Sequence, residues 1–289
     1  MDPEALLRTH EVAALLRVHP KHVYRLLRKG LPSRRVGSEW RFSREDVLAW
    51  SGGGKGAPAA RATPYEPEGA PPSLVAANGD VVVLTLLRLA ALQGPPLIGF
   101  VPADIGTGAK LLQAGNVLAT GAHAGGFPSH LGGERIARLH LVTREVGLLG
   151  RRGTKPPRLK DLASAKLASR PATAGLRGYL DAALRKEGMS AEKIHRRALI
   201  LDSHLDVVCA VAAGRADLGL ASRAWGERAG LSFHLLASEA YGLIVKAKDL
   251  GDPRVVRLCE VAQGKAFREE VGAVPGYDVA GAGDIRYDA

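Results

Sequence analysis

The chain has 289 residues, 40 Lys and Arg against 29 Asp and Glu, a formal net charge of +11 at pH 7, and 46% hydrophobic residues. That length suits two domains, and the apolar content is enough for buried cores, which excludes a disordered or fibrous chain. The cationic surplus favours polyanions, nucleic acid first, and two cysteines exclude a disulfide framework.

Cys209 and Cys259 both fall in apolar helical patterns without any CxxC or Cys/His cluster, so they read as reduced core thiols and not as a zinc site. The opening MDPEALLRTHEVAALL is acidic and lacks the apolar core of a secretory signal. The longest apolar runs, Val81–Leu87 and Val207–Ala213, fall short of the roughly 18 residues that span a bilayer. A cytoplasmic protein with no membrane partner is expected.

Within residues 1–50, Leu7, Val12, Leu15 and Leu16 recur at helical spacing, so His10–Arg17 is predicted as a helix with Thr9 as its cap. Val18-His19-Pro20 reads as a tight turn. Pro20 opens a second helix, because it has no N–H to lose there, and Gly30 stops it. Val23, Leu26 and Leu27 face inward, leaving Lys21, His22, Tyr24, Arg25 and Arg28 outside. A three-residue turn between two short helices, the second basic, is helix-turn-helix spacing. Arg34–Phe42 alternates around Gly37-Ser38 and reads as a hairpin carrying Arg34, Arg35 and Arg41. Ser43 then caps a third helix, with Asp46 at the reciprocal position, and Val47, Leu48 and Trp50 close the small core.

In order and motif this segment resembles the excisionase-type, MerR-like winged helix-turn-helix. The carriers are a T-x-E-x-A-x-x-L first helix, V-Y-R-L-L-R-K-G-L-P in the second, a wing ending W-R-F, and S-x-E-D-V-x-x-W. The resemblance implies double-stranded DNA as partner. Lys21, His22, Tyr24, Arg25 and Arg28 would face the major groove, and Arg34, Arg35 and Arg41 would grip the backbone or minor groove. One such module spans few base pairs, so a homo-oligomer, dimer or tetramer, is expected on two half-sites.

Residues 51–72, SGGGKGAPAARATPYEPEGAPP, have no apolar periodicity and read as a flexible linker. From residue 73 to 289, apolar strands alternate with helices. Leu74–Ala77, Leu97–Val101 and Asn116–Gly121 are strands, with helices after Asp80 and after Gly106-Thr107-Gly108. Ile136–Leu149 crosses into a second lobe. Helices follow from Pro171 to Glu187 and over Ser203–Ala213, with a strand ending at Leu220. Ala240–Val245 returns the chain, and Pro253–Val261 and Gly264–Val271 close it before a terminal loop at Val274–Asp278. This is an α/β pattern with ligand groups on loops at strand ends. Lobe 1 is expected over about 73–140 and 240–289, and lobe 2 over about 141–239.

This region resembles the bilobed, type 2 periplasmic-binding-protein-like domain found fused to helix-turn-helix modules, a relative of molybdate-binding receptors. The carriers are A-x-G-x-A-D-L-G-L near Ala210–Leu220, A-Y-G-L-I-V at Ala240–Val245, T-G-A-H at Thr120–His123, and the V-x-x-L…F-R-E-E-V…G-Y-D ending at Val255–Asp278. Of the family's G-S-G-T-R helix opening, only Gly175 and Arg177 agree. Of its G-S-x-D loop, only Asp80 agrees. The resemblance implies a small ligand in an interlobe cleft, either an oxyanion such as molybdate or tungstate or another small polar molecule. Ser169, Arg170, Thr173 and Arg177 on one lobe, and Asn78, Asp80, Thr107, His123 and Tyr241 on the other, are the candidate contacts. Arg177 pairing with Asp181, Asp80 acting only as a helix cap, His123 as a structural histidine and Tyr241 as a hinge or core residue are open alternatives.

No nucleophile elbow, HExxH or phosphate loop occurs, and Asp202-Ser203-His204 reads better as a helix cap than as a catalytic cluster. No enzyme activity, cofactor or metal is expected. The expected function is a one-component transcriptional regulator. Its rivals are a DNA-binding or recombination accessory protein whose second domain only oligomerises, and a cytoplasmic solute-binding protein.

Overall fold

The structure is a computed structural model that describes residues 6–18, 20–36, 39–51, 71–123 and 128–287. The Gly37-Ser38 turn, His19, Gly125-Gly126 and nearly all of the predicted linker lie outside the described residues. The chain divides into two compact units, Met1–Ala70 with Gly251–Val256, and Pro71–Leu250 with Arg257–Ala289.

The first unit contains α1 (Thr9–Leu15), α2 (Pro20–Arg28), the hairpin β1 (Arg34–Val36) and β2 (Glu39–Arg41), and α3 (Arg44–Ser51). Thr9 is not the cap of α1 but its first residue. The Glu11 side chain accepts from Arg8 N–H at 2.6 Å, and this capping box moves the start one residue back. Gly30 follows α2 at φ +86°, a conformation that excludes most side chains. The hairpin pairs Arg35 with Trp40, and Ser43 Oγ accepts from Asp46 N–H as expected. Val12, Val23, Phe42 and Val47 form a core closed to solvent, with Trp50 packed on it. Leu48 is 46% exposed and lies outside the core, because it sits one residue, about a quarter turn, off the inward face that Val47 sets.

The second unit continues with β3 (Leu74–Ala77), α4 (Val81–Ala91), β4 (Gly99–Pro102), α5 (Ile105–Gln113), β5 (Ala119–His123), β6 (His130–Leu131) and β7 (Glu134–Gly150). Next come β8 (Leu167–Ser169), α6 (Gly175–Lys186), α7 (Ala191–Arg196), β9 (Leu199–Ile200), α8 (His204–Ala212), β10 (Leu218–Ser222) and α9 (Arg223–Arg228). The chain closes with β11 (Ser232–Lys246), α10 (Pro253–Gln263), α11 (Lys265–Gly272), β12 (Tyr277–Asp278) and β13 (Ile285–Arg286). The predicted terminal loop thus contains a strand, β12, that pairs with β7.

The main sheet runs β4-β3-β5-β11-β7-β10-β8-β9. β3, β4 and β5 are parallel to one another, as are β8, β9 and β10, and each set builds one lobe. Two long antiparallel strands, β7 and β11, join the lobes. The end of β7 and its neighbour β10 are buried on both faces: Leu148 and Leu220 pack against Leu180 and Leu184, while the next residues, Leu149 and Ala221, pack against Val207 and Val211. The ladder slips between Leu235 and Ala237, and again between Tyr241 and Gly242. Each slip leaves one residue unpaired and bends the ribbon. Gly242 makes the second slip possible, since a Cβ there would lie 2.1 Å from the Leu139 carbonyl oxygen.

Candidate functional site

Between the two slips, β7 and β11 are in tight register, and Arg144 lies directly opposite Glu239, with Tyr277 of β12 on its other side. Residues paired across strands point to the same face, so these side chains meet. Arg144 is fully buried and donates Nε and Nη2 to Glu239 Oε1 at 2.9 and 2.6 Å, and Nη1 to Asp80 Oδ2 at 2.6 Å. Tyr241, two residues after Glu239 and therefore on the same face, lays its ring 3.8 Å from the guanidinium. Burial opposes this charge, but Glu239 and Asp80 outweigh it and hold Arg144 protonated above its ordinary range. Tyr277 donates to Asp80 Oδ1, and Tyr179 of α6 bonds to Glu239, its hydroxyl pushed up to about 12 by burial and then by that carboxylate.

Above this hub lies a cleft lined by Asn78, Asp104, Ile105, Gly121, His123, Arg144, Arg170, Gly175 and Tyr241 among others. Its interior leaves about 20 Å³ for the centre of a water-sized sphere. Taken as a sphere and widened by the roughly 1.4 Å of a water radius, that space is about 3 Å in radius, the size of a compact polyatomic anion.

Arg170 is the cation of this cleft without a matching carboxylate among the described residues. It is 1% exposed, Nη1 donates to the Leu201 carbonyl at 3.2 Å, and Nε has no partner. Burial, partly offset by Asp202 and aggravated by Arg144, draws it down to about 10, still charged at neutral pH. Asp104 caps α5, where Oδ1 accepts from Thr107 N–H at 2.7 Å, while Oδ2 accepts from the Thr173 hydroxyl of the other lobe. Burial raises its carboxyl, but the Thr173 and Thr107 hydrogen bonds outweigh burial and leave it below the ordinary aspartate value.

Two further contacts close the lobes. Trp225 Nε1 donates to the Gly79 carbonyl at 2.9 Å, and Asn78 Nδ2 lies 3.2 Å from His204 Nε2. Asn78 Oδ1 also accepts from Tyr241 at 2.8 Å. His204 is fully buried and takes the Ser222 N–H at Nδ1, and burial, then Arg170 and Arg144, hold it well below the usual histidine value.

Four expected ligand residues, Asn78, His123, Arg170 and Tyr241, meet in the cleft. His123 packs on the start of α6, where a Cβ on Gly175 would fall 1.9 Å from its Nε2, and its Nδ1 lies 3.4 Å from Glu239. The other five do not line it. Asp80 caps α4 and holds Arg144 from beneath. Thr107 bonds Asp104, and Thr173 spends its hydroxyl on the same carboxylate. Ser169 is buried against His195 Nδ1 at 3.1 Å, and His195 Nε2 reaches Asp181 at 2.6 Å. Arg177 points back to the Arg170 carbonyl at 3.5 Å, and its alternative partner Asp181 is bonded to that histidine.

Arg144, Glu239 and Asp104 were not expected. A charged Arg144-Glu145 pair inside an apolar strand buried on both faces was the available signal for the first, and an Asp three residues before Thr107 for the last. Cys209 is also corrected: it lies on the exposed side of α8, whereas burial pushes the Cys259 thiol to about 12. Among the described residues no cluster of His, Cys, Asp or Glu is placed to hold a metal, and no helix is long and apolar enough to cross a membrane.

On the first unit, α2 carries His22 and Arg25 exposed and Tyr24 half-buried. The side chains of Lys21, Arg28 and Arg35 lie outside the described part of the structure. Arg34 is exposed, while Arg41 is tied to Glu39 at 2.6 Å.

A bilobed α/β unit with its cleft where two crossing strands pass between the lobes is a periplasmic-binding-protein fold, and the chain belongs to that class. The family model of the PBP superfamily domain matches residues 99–263, more than half of the chain, and a helix-turn-helix domain model matches residues 6–51. Uncharacterized protein YvgK of Bacillus subtilis is 25% identical over 310 aligned positions, covering 99% of both chains. A phosphate ABC-transporter substrate-binding protein from Clostridium perfringens, solved with bound phosphate, superposes with a TM-score of 0.56 at 12% identity, over 71% of this chain and 98% of that one. The effector binding domain of a BenM variant superposes at 0.50 and 14% identity, over 69% and 95%.

Proposed function

We propose that this chain is a cytoplasmic one-component regulator that grips double-stranded DNA with a MerR-like head and reads a small anion in the cleft of its second unit. The observation that carries the ligand half is Arg170. A buried cation with an unpartnered Nε lines the cleft, and a buried donor left unmade costs about 1–3 kcal/mol. An anion there removes that cost. Oxyanions of the molybdate and tungstate kind belong to this class, and the phosphate bound by the Clostridium perfringens protein is a precedent on the same fold. Ligand must favour the closed lobes over the open ones, and the Thr173–Asp104, Trp225–Gly79 and Asn78–His204 contacts form only on closure. Closure then changes how paired heads in a homo-oligomer sit on two half-sites.

The cleft is read as binding, not catalytic. Ser169, His195 and Asp181 have the residue types of a hydrolase triad, but Ser169 is fully buried and no substrate reaches it. On the head, Lys21, His22, Tyr24, Arg25 and Arg28 would enter the groove and Arg34 and Arg35 the backbone. Arg41 contributes less because Glu39 neutralises it.

Fluorescence anisotropy of the full chain with duplex from its own upstream region tests the DNA half. Affinity should fall steeply with salt, and Arg25→Ala should lower the slope of log K against log salt by about one. Failure to bind duplex at low ionic strength, or binding indifferent to salt, refutes it. Thermal shift with small anions tests the ligand half, and Arg170→Met should abolish every shift.

A further inference from the structure

The charges around the cleft do not balance in favour of a bare anion. Arg144 is matched by two carboxylates, Asp80 and Glu239, both without solvent exposure. That leaves Arg170 as the cation to meet a ligand, and Asp104, also lining the cleft, as a carboxylate to meet it too. Asp104 accepts from Thr107 N–H at Oδ1 and from the Thr173 hydroxyl at Oδ2, and the Thr107 hydroxyl bonds it as well, which leaves one of the about four lone pairs of its two oxygens for a ligand. Asp104 stays ionised at neutral pH, below the ordinary aspartate value. A ligand built only of acceptors, a fully deprotonated oxyanion above all, turns negative oxygen toward this carboxylate. A ligand with its own O–H or N–H beside the charge gives Asp104 a hydrogen bond while Arg170 takes the anionic end.

We propose that Asp104 is a specificity-determining residue that selects anions carrying a hydrogen-bond donor next to the negative group, and rejects acceptor-only dianions of the same size. This rests on the reading of Arg170 as the anion anchor. It places molybdate and sulfate among the poor ligands and protonated oxyanions or small hydroxy or amino acids among the good ones.

Two matched pairs test it by titration calorimetry on the full chain at pH 7: inorganic phosphate against sulfate, and glycolate against acetate. Within each pair the size is similar and the donor is present or missing. The donor-bearing member should bind at least ten-fold more tightly in at least one pair. Asp104→Asn should shrink that ratio to within about two-fold, because the amide can donate to an acceptor-only ion. Thr173→Val, which removes the interlobe contact and keeps the carboxylate, should preserve it. A preference below ten-fold in both pairs, or an unchanged ratio in Asp104→Asn with binding intact, overturns the role of Asp104 and leaves the Arg170 reading standing. No heat with any of these anions, or binding undiminished in Arg170→Met, overturns both.

Discussion

Replacing Arg144 by Met keeps an unbranched apolar stem and removes the guanidinium. The structure gives the consequence. Three charge-assisted hydrogen bonds, at 2.9, 2.6 and 2.6 Å, disappear, and Asp80 and Glu239 are left facing each other without a cation or solvent. Breaking a buried pair by deleting one partner costs about 3–5 kcal/mol. At about 2–4 °C per kcal/mol for a unit of this size, the melting temperature should fall by on the order of 10 °C. Urea unfolding followed by circular dichroism measures the loss. The variant should also recover on mild acidification, because a stranded carboxylate binds a proton in the native state that the unfolded chain lacks at the same pH, so stability rises as pH falls. A triple variant, Asp80→Asn, Arg144→Met and Glu239→Gln, removes the stranded charges while the amide introduced at position 80 still caps α4, and should regain more than half of the loss. A single variant within 1 kcal/mol of the parent, or a triple variant no more stable than the single one, would refute the idea that the hub is held by charge matching.

Other expectations follow from the same geometry. His204 is neutral in the native state, held there by burial and two arginines, and protonates freely once unfolded. Stability should therefore drop as pH falls below about 6.5, by up to about 1.4 kcal/mol per pH unit, and His204→Asn, which keeps an acceptor for Ser222 N–H, should flatten that slope. Gly175→Ala drives a methyl into the His123 ring and displaces it from Glu239. A loss of about 1–3 kcal/mol in urea is expected, with most of it regained when His123→Ala is added. Thiol titration of the native chain should find one fast group, Cys209, with Cys259 silent until denaturant is added.

Much of the fold was legible because its signals are local. Pro20 and Gly30 bracket α2, and the alternation from Arg34 to Phe42 gives the hairpin. Apolar strands separated by helices give the α/β unit. The cleft was legible only in part, for reasons of register. Asn78, His123 and Arg170 sit at or beside strand ends, where the fold class places ligand contacts, and Tyr241 reaches the cleft from inside β11. Ser169 and Arg177 flank the same loop, but the pleat and the helical turn aim them elsewhere, one at His195 and the other at a carbonyl. Of the hub, Asp80 and Tyr241 were picked out, though as ligand contacts, and the pairing of Arg144 with Glu239 was not legible. Arg144 and Glu239 are far apart in sequence and meet because two slips set the register of β7 and β11, and no local pattern encodes a slip. Leu48 and Thr9 were misjudged at element edges, where one residue decides inside from outside.

The crossing ribbon has a consequence for how the second unit comes into being. Strand β7 is made early and its partner β11 late, with the whole of one lobe lying between them in the chain. Neither lobe owns a complete sheet, since the strands that finish each one are the two halves of the same pair. A ribosome must therefore deliver Lys246 before the first lobe can be sealed, and closing so long a loop before its contacts repay it makes assembly slow. Excising one lobe as a minimal ligand trap would leave raw sheet edges on both pieces, so any usable sensor cut from this chain has to begin before Leu74 and run past β11.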